Sequence, residues 1–116
     1  MKRVLIADDE YVIANLFRQK IQKIGHEVVG VAHSGEEAKE LISQLHPEII
    51  FLDVNMEYKT VGIDVCKWVN DEFADIKVYF LTAYSNYVFK EELKNVDYEG
   101  YIDKLEFSAI VGDLLK

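Results

Sequence analysis

Side chains that can carry out chemistry follow four of the five short apolar runs in this 116-residue sequence. If the runs are parallel strands, their carboxyl ends share one edge of a sheet and these side chains converge there. Clustered carboxylates repel by roughly 4 kcal/mol per pair at 4 Å and an effective dielectric constant of about 20, which raises a pKa or attracts a cation. The residues are Asp8 and Asp9 after VLIA, Asp53 after EIIFL, Thr82 after KVYFL, and Lys104 after YEGYID.

An oxygen-rich cluster of this kind predicts a hard divalent cation. The cluster offers few protein ligands, which suits Mg²⁺ with several bound waters better than Ca²⁺ enclosed by protein oxygens. The sequence also has no EF-hand spacing. Asp53 can then act as a nucleophile toward phosphorus, because carboxylates form acyl phosphates when a metal and a cation neutralise the incoming group. Lys104 would supply the fixed positive charge, and Thr82 a hydroxyl donor to a phosphoryl oxygen. The set therefore indicates phosphoryl transfer.

Each of these residues also has an ordinary structural explanation when taken alone. Asp8 and Asp9 precede a predicted helix, where aspartate is a common N-cap and interacts favourably with the positive end of the helix dipole. Thr82 alone suits a strand end, and Lys104 alone suits a solvated surface. The functional hypothesis therefore depends on the joint pattern.

The apolar runs predict buried parallel strands. They are continuous rather than alternating and rich in Val, Ile and Leu, which is typical of strands covered by helices on both faces of a sheet. The longest predicted connection, 53–62, lies between a strand and a helix, where long loops are often functional. We predict strands at 4–7, 27–32, 48–52, 77–81 and 98–102.

Helical periodicity fills the intervals between the strands. A second helix opens at Ser34 and stops before Pro47, and the stretch 85–95 is the weakest helix prediction because poor helix formers crowd its start. Five strands alternating with five helices predict one doubly wound α/β domain over residues 1–116, with right-handed crossovers. The first helix is marked by Ile13, Leu16, Phe17, Ile21 and Ile24, the third by Val65, Cys66, Val69 and Phe73, and the last by Phe107, Ile110, Val111, Leu114 and Leu115.

Composition excludes several classes of protein. The chain has 13 Lys and Arg against 21 Asp and Glu, a net charge of -8 that opposes direct nucleic-acid binding. The single cysteine, Cys66, cannot form an internal disulfide or a clustered-thiolate metal site, which favours a reducing cytoplasm. No window approaches the roughly 20 apolar residues of a membrane span. We therefore expect a cytoplasmic protein without a membrane partner.

The motifs IADDE, FLDVNM, FLTAY and YIDKL, in this order, resemble the receiver domain of two-component response regulators of the chemotaxis-regulator type. The resemblance covers essentially the whole chain. It implies a flavodoxin-like fold with strand order 2-1-3-4-5, bound Mg²⁺ and formation of an aspartyl phosphate. A receiver is not an enzyme in the usual sense, since it catalyses its own phosphorylation from a phosphohistidine donor and its own dephosphorylation.

The resemblance also assigns a role to each matching residue. It implies that the residues beside the metal and the phosphoryl group belong to one site. It also implies that one hydroxyl side chain and one aromatic side chain change orientation when the domain is activated. By this resemblance Asp53 is the phosphoacceptor, Asp8, Asp9, Asp53 and Asn55 hold the metal, Thr82 and Tyr101 form the switch, and Lys104 pairs with the phosphoryl group.

The partners implied by the resemblance are proteins. The phosphoryl donor would be a sensor histidine kinase or a histidine phosphotransferase. Phosphorylation would change the surface of the fourth helix, fifth strand and fifth helix, which a downstream effector or a covalently linked output domain absent from this chain would recognise. A phosphorylation-dependent homodimer remains open.

Two departures from the family pattern leave an alternative. Leu105 stands where proline usually follows the lysine, so we expect a trans peptide bond there. Glu57 follows Met56 where Met-Pro is common, and Tyr84 occupies a position that tunes acyl-phosphate lifetime. The alternative is a degenerate receiver that acts as a phosphorylation-independent binding module. A flavin carrier fits poorly, because ADDE is the reverse of a glycine-rich and hydroxyl-rich phosphate loop.

Overall fold

The computed structural model describes residues 1–58, 60–83 and 90–116. Residues 85–89 of the weakly predicted helix at 85–95, together with Tyr84, lie outside the described residues. The elements are β1 (Arg3–Ala7), α1 (Tyr11–Lys23), β2 (Glu27–Ala32), α2 (Gly35–Leu45), β3 (Ile49–Asp53), α3 (Val61–Glu72), β4 (Lys77–Thr82), α4 (Lys90–Leu93), β5 (Gly100–Asp103) and α5 (Phe107–Leu114).

The described strands form one five-stranded parallel sheet in the order β2-β1-β3-β4-β5, which confirms the predicted doubly wound fold. Asp53 pairs with Leu81 across β3 and β4, and Thr82 pairs with Asp103 across β4 and β5. This register brings the carboxyl ends of the strands to a common edge.

Helices cover both faces of this sheet, because alternate residues of each strand point to opposite sides. On one face α1 and α5 pack over Val4, Ile6 and Phe51, where the rings of Phe17 and Phe107 stack with centroids 4.0 Å apart. On the other face α2 and α3 pack over a second apolar cluster. The inner strands β1, β3 and β4 are therefore buried on two sides, which explains their continuous apolar sequence, while the edge strands β2 and β5 are only partly buried.

Strands β3, β4 and β5 each extend one residue beyond their predicted ends. Asp53 and Thr82 were expected just after β3 and β4, but each is the last residue of its strand. Ladder pairing with the neighbouring strands continues through both residues, so their backbones are fixed by the sheet. β5 begins at Gly100, two residues later than predicted.

The predicted stripe of α1 was wrong at one position. Leu16 is 52% exposed, whereas Ala14, Phe17 and Ile21 are buried. The buried residues follow each other at intervals of three and four, which places them on one face of the helix, and Leu16 lies off that face. Gly25, at φ 97°, follows the helix.

The remaining helices show ordinary start and stop signals. Ser34 caps α2 by accepting a hydrogen bond from the Glu37 amide, and His46 ends it in the left-handed region before Pro47. Among the described helices, none is long and apolar enough to cross a membrane.

Candidate functional site at the carboxyl edge of the sheet

The polar residues at the carboxyl edge are unusual in being buried. Asp8 is fully buried, and Asp53 and Thr82 are each 4% exposed. Asp8 directly follows β1, while the other two end the central strands β3 and β4. Burying ionisable groups without compensation is costly, so this edge needs partners for its charges.

Lys104 provides positive charge from the end of β5. Its Nζ lies 2.8 Å from Asp8 Oδ2, 3.2 Å from Asp53 Oδ2 and 3.0 Å from Glu10 Oε1, and its side chain is only 8% exposed. The Lys104 amide donates to the Thr82 carbonyl at 2.8 Å, which ties the lysine to β4. Burial alone would lower the pKa of Lys104, but contact with Asp8 and the charge of Asp53 raise it above its usual value. Lys104 is therefore a permanent cation at this edge.

Four carboxylates cluster at this edge, and three of them contact the lysine. Asp8, Asp9, Glu10 and Asp53 each offer an oxygen, and these oxygens lie within 4.8 Å of one another. Asp8 Oδ1 accepts a hydrogen bond from the Glu10 amide at 2.9 Å. Asp8 Oδ2 is buried and accepts no hydrogen bond from the described residues, although the Lys104 ammonium lies beside it as an ion-pair partner. One lysine against four carboxylates leaves an excess of negative oxygen, and this donor set fits a hard cation such as Mg²⁺.

Burial dominates the ionisation of Asp53. It raises the pKa of this carboxyl from 3.8 to about 7, with the Lys104 charge opposing and the Asp8 charge adding to the effect. The Asn55 amide donates to Asp53 Oδ1 at 3.1 Å, which orients the carboxylate. A nearby divalent cation would favour the charged form.

A small cavity opens beside Asp53. Its volume is about 160 Å³, and its lining includes Asn55, Thr82 and Lys104. Two larger cavities of about 490 and 400 Å³ lie at the opposite edge, near the amino ends of β3 and β4. Of the two buried carboxylates among the described residues, Asp53 lines the small cavity and Asp8 lies beside it through their shared contact with Lys104, so the small cavity is the candidate site despite its size.

Tyr101 lies on β5 three residues before Lys104. It is half-buried, and its ring centroid is 6.4 Å from that of Phe80. Tyr101 is not among the described residues that line the small cavity.

Leu105 does not disturb the lysine that precedes it. The side chain is 91% exposed, and the described residues contain no cis peptide bond, as predicted for this position. The Leu105 amide donates to Asp103 Oδ1 at 2.9 Å, so an aspartate side chain forms the turn after β5.

Comparison with known proteins identifies the family. The family model of the response regulator receiver domain matches residues 4–111. The chain belongs to the response regulator receiver family. A curated relative, the polar-differentiation response regulator DivK of Brucella ovis, is 32% identical over 105 residues, which are 89% of this chain and 84% of the relative.

Solved structures share the receiver fold. The response regulator TrrA of Thermotoga maritima, solved in complex with Mg²⁺ and BeF, has a TM-score of 0.83 and 29% identity, with 99% of this chain and 97% of TrrA covered. A LuxR-family DNA-binding response regulator of Staphylococcus aureus has a TM-score of 0.88 at 22% identity, covering 99% and 96% of the two chains, which shows a common fold.

Three contacts of this receiver site were not predicted from the sequence. Glu10 contacts Lys104, and His33 Nδ1 lies 2.9 Å from the Asp8 carbonyl oxygen. The His33 ring also lies against the Tyr11 ring, with centroids 3.7 Å apart and a tilt of 32°. The only sequence signal for Glu10 is its place after the acidic pair in ADDE. Histidine spacing in the sequence carries no information about the contact of His33 with the turn that follows β1.

Proposed function

We propose that Asp53 accepts a phosphoryl group and that residues 1–116 act as one receiver domain. The donor is a phosphohistidine of a sensor histidine kinase or a histidine phosphotransferase. The supporting observation is the pairing of the buried Asp53 carboxylate with Lys104 at 3.2 Å, on a cavity beside the acidic cluster. A carboxylate held this way is a plausible nucleophile because its neighbour carries the compensating positive charge.

The chemical step is an exchange of one bond to phosphorus for another. An oxygen lone pair of Asp53 attacks phosphorus, and the bond between phosphorus and the imidazole nitrogen breaks. The bonding pair leaves with the imidazole, and Asp53 carries an acyl phosphate. Lys104 neutralises a phosphoryl oxygen, and the Thr82 hydroxyl donates to another. Attack of water on phosphorus later breaks the bond to the Asp53 oxygen, which releases inorganic phosphate and restores the carboxylate.

Asp8, Asp9, Asp53 and the Asn55 carbonyl would hold Mg²⁺. When bound, Mg²⁺ supplies charge stabilisation for the oxygens around phosphorus. The exposed Asp9 and the buried Asp8 approach this position from the same turn after β1. Asp53 must be ionised to attack, and the positive charges at this edge favour that form.

The conformational change caused by phosphorylation would reach the output surface through β4 and β5. Reorientation of Thr82 toward the phosphoryl group, with a coupled change at Tyr101, would favour one of two states of the surface formed by α4, β5 and α5. A downstream effector, a linked output domain or a second copy of the domain would recognise that surface. The single buried thiol is compatible with a cytoplasmic setting.

The test is intact mass after incubation with acetyl phosphate, with and without Mg²⁺. The native chain should gain about 80 Da, the mass of one PO₃H unit, only when Mg²⁺ is present. Asp53→Ala should gain nothing, while the control Asp71→Ala, which removes an exposed carboxylate from α3, should behave like the native chain. If the adduct hydrolyses too fast to be detected, beryllofluoride serves as a stable mimic of the phosphoryl group, and its binding is measured as a change in melting temperature.

An adduct that persists in Asp53→Ala would contradict the assignment of the acceptor. Absence of an adduct together with no beryllofluoride effect on melting would favour the alternative, a phosphorylation-independent binding module.

A further inference from the structure

Glu57 links the segment that follows Asp53 to the start of α2. We call residues 54–58 the acceptor loop. The Gly35 amide, the first of α2, donates to Glu57 Oε1 at 2.9 Å. Amides in the first turn of a helix have no partner within the helix, and a carboxylate there also interacts favourably with the helix dipole. The contact therefore gives the first amide of α2 a hydrogen-bond acceptor and also anchors the acceptor loop.

Two glycines allow the close packing that this contact requires. A Cβ on Gly35 would lie 2.7 Å from Val61 Cγ2, so the start of α2 lies directly on the start of α3. A Cβ on Gly62 would lie 2.1 Å from the Asp53 carbonyl oxygen, and the Gly62 amide donates to the Val54 carbonyl at 2.9 Å. The acceptor loop is thus hydrogen-bonded to α3 at Val54, just after β3, and contacts α2 through Glu57.

The same end of α2 also contacts the segment that carries Asp8. His33 Nδ1 lies 2.9 Å from the Asp8 carbonyl, and the His33 amide donates to Glu37 Oε1 at 2.6 Å. The Glu37 amide in turn donates to Ser34 Oγ at 3.1 Å. The start of α2 therefore touches both acid-bearing segments, one through His33 and the other through Glu57.

We propose that Glu57 is a positioning residue for the divalent cation. By holding the acceptor loop on α2, its carboxylate fixes the backbone of Asn55 relative to Asp53 and Asp8, and so strengthens Mg²⁺ binding. This inference rests on the Mg²⁺ site of the proposed function. Without the contact, part of the binding free energy would be spent on ordering the loop.

Three variants separate the hydrogen bond from the charge. Glu57→Ala removes both, whereas Glu57→Gln keeps an oxygen that can accept from the Gly35 amide. Glu36→Ala removes a carboxylate from the same helix end, where Glu36 is exposed. Glu57→Ser, whose side chain is too short to reach the amide, is a second loss-of-contact variant should Glu57→Ala fail to fold.

The measurement is Mg²⁺ affinity of the full chain by isothermal titration calorimetry, followed by acetyl phosphate labelling at saturating Mg²⁺. Glu57→Ala should bind Mg²⁺ about three- to tenfold more weakly, the effect of losing one net hydrogen bond. Glu57→Gln and Glu36→Ala should stay within about twofold of the native chain. The labelling rate at saturating Mg²⁺ should be the same in all four proteins.

Native affinity in Glu57→Ala would overturn the proposal. Equal weakening in Glu57→Gln or Glu36→Ala would also overturn it, because the effect would then come from net charge. If the native chain binds Mg²⁺ but Asp53 takes no phosphoryl group, the proposed function fails on its own.

Discussion

Replacing Asp53 with asparagine should stabilise this receiver domain when no divalent cation is present. Burial raises the pKa of Asp53 from 3.8 to about 7, so the folded state resists the charged form. Each pKa unit is worth about 1.36 kcal/mol, which makes the cost of holding the charge in the fold at most about 4 kcal/mol above pH 7. The neutral amide avoids this cost, and Asp8 and Glu10 remain beside Lys104.

The pH dependence carries a definite sign. A group whose pKa is raised in the folded state contributes stability below its unfolded pKa, and that contribution is lost as the pH rises through the folded pKa. The free-energy difference between Asp53→Asn and the native chain should therefore increase with pH from about 4 and level off above about 7. Between pH 5.5 and 8 it should grow by about 2 kcal/mol.

Urea unfolding in excess chelator, followed by Trp68 fluorescence, measures this difference at each pH. Asp71→Asn, at an exposed carboxylate, serves as the control and should show no such slope. Saturating Mg²⁺ should reduce or reverse the advantage of Asp53→Asn, because only the native carboxylate binds the cation. A difference that is flat from pH 5.5 to 8 would refute the argument from burial.

Three further perturbations test other parts of the structure. Lys104→Ala should lower the free energy of unfolding by about 3–5 kcal/mol in chelator, since it leaves buried carboxylates without a cation, and Mg²⁺ should restore part of the loss in urea titrations. Gly62→Ala should destabilise the fold severely, because the added Cβ meets the Asp53 carbonyl, while Gly112→Ala, in open space on α5, should be neutral or stabilising by up to about 1 kcal/mol. Cys66, fully buried with its pKa raised to about 12 by burial, should resist iodoacetamide in the native protein and react in urea.

Each of these three predictions has an outcome that would contradict it. Native stability of Lys104→Ala in chelator would show that the acids do not depend on the lysine. A Gly62→Ala variant as stable as Gly112→Ala would contradict the close packing of α3 on β3. Rapid alkylation of native Cys66 would show that α3 opens on the time scale of the reaction.

The sheet and most of the site could be predicted because they depend on local pattern and on a topological rule. Continuous apolar runs identified the strands, and parallel strands bring their carboxyl ends together, which places Asp8, Asp53 and Thr82 at one edge. The prediction that Leu16 belongs to the apolar stripe of α1 was wrong, because apolar residues at helical spacing do not all lie on the buried face.

The contacts that escaped prediction depend on how separate segments pack. Glu57 was visible only as a departure from Met-Pro, and its hydrogen bond to Gly35 requires the meeting of α2 and the acceptor loop. Glu10 similarly reaches a lysine 94 positions away in sequence. No periodicity or spacing in the chain encodes such pairs.

The two oppositely charged halves of the site differ in mechanical stiffness. Asp53 ends β3, which has a strand on either side, whereas Lys104 follows β5, a four-residue edge strand whose neighbour in the described sheet is β4. Moving the end of β3 would disturb the pairing of Asp53 with β4 and the ladder to β1 that ends at Leu52. Moving the lysine disturbs one short ladder and the turn into α5. A change of charge at Asp53 should therefore be absorbed by displacement of β5, so that amide exchange of Gly100–Asp103 would respond before that of Ile49–Asp53.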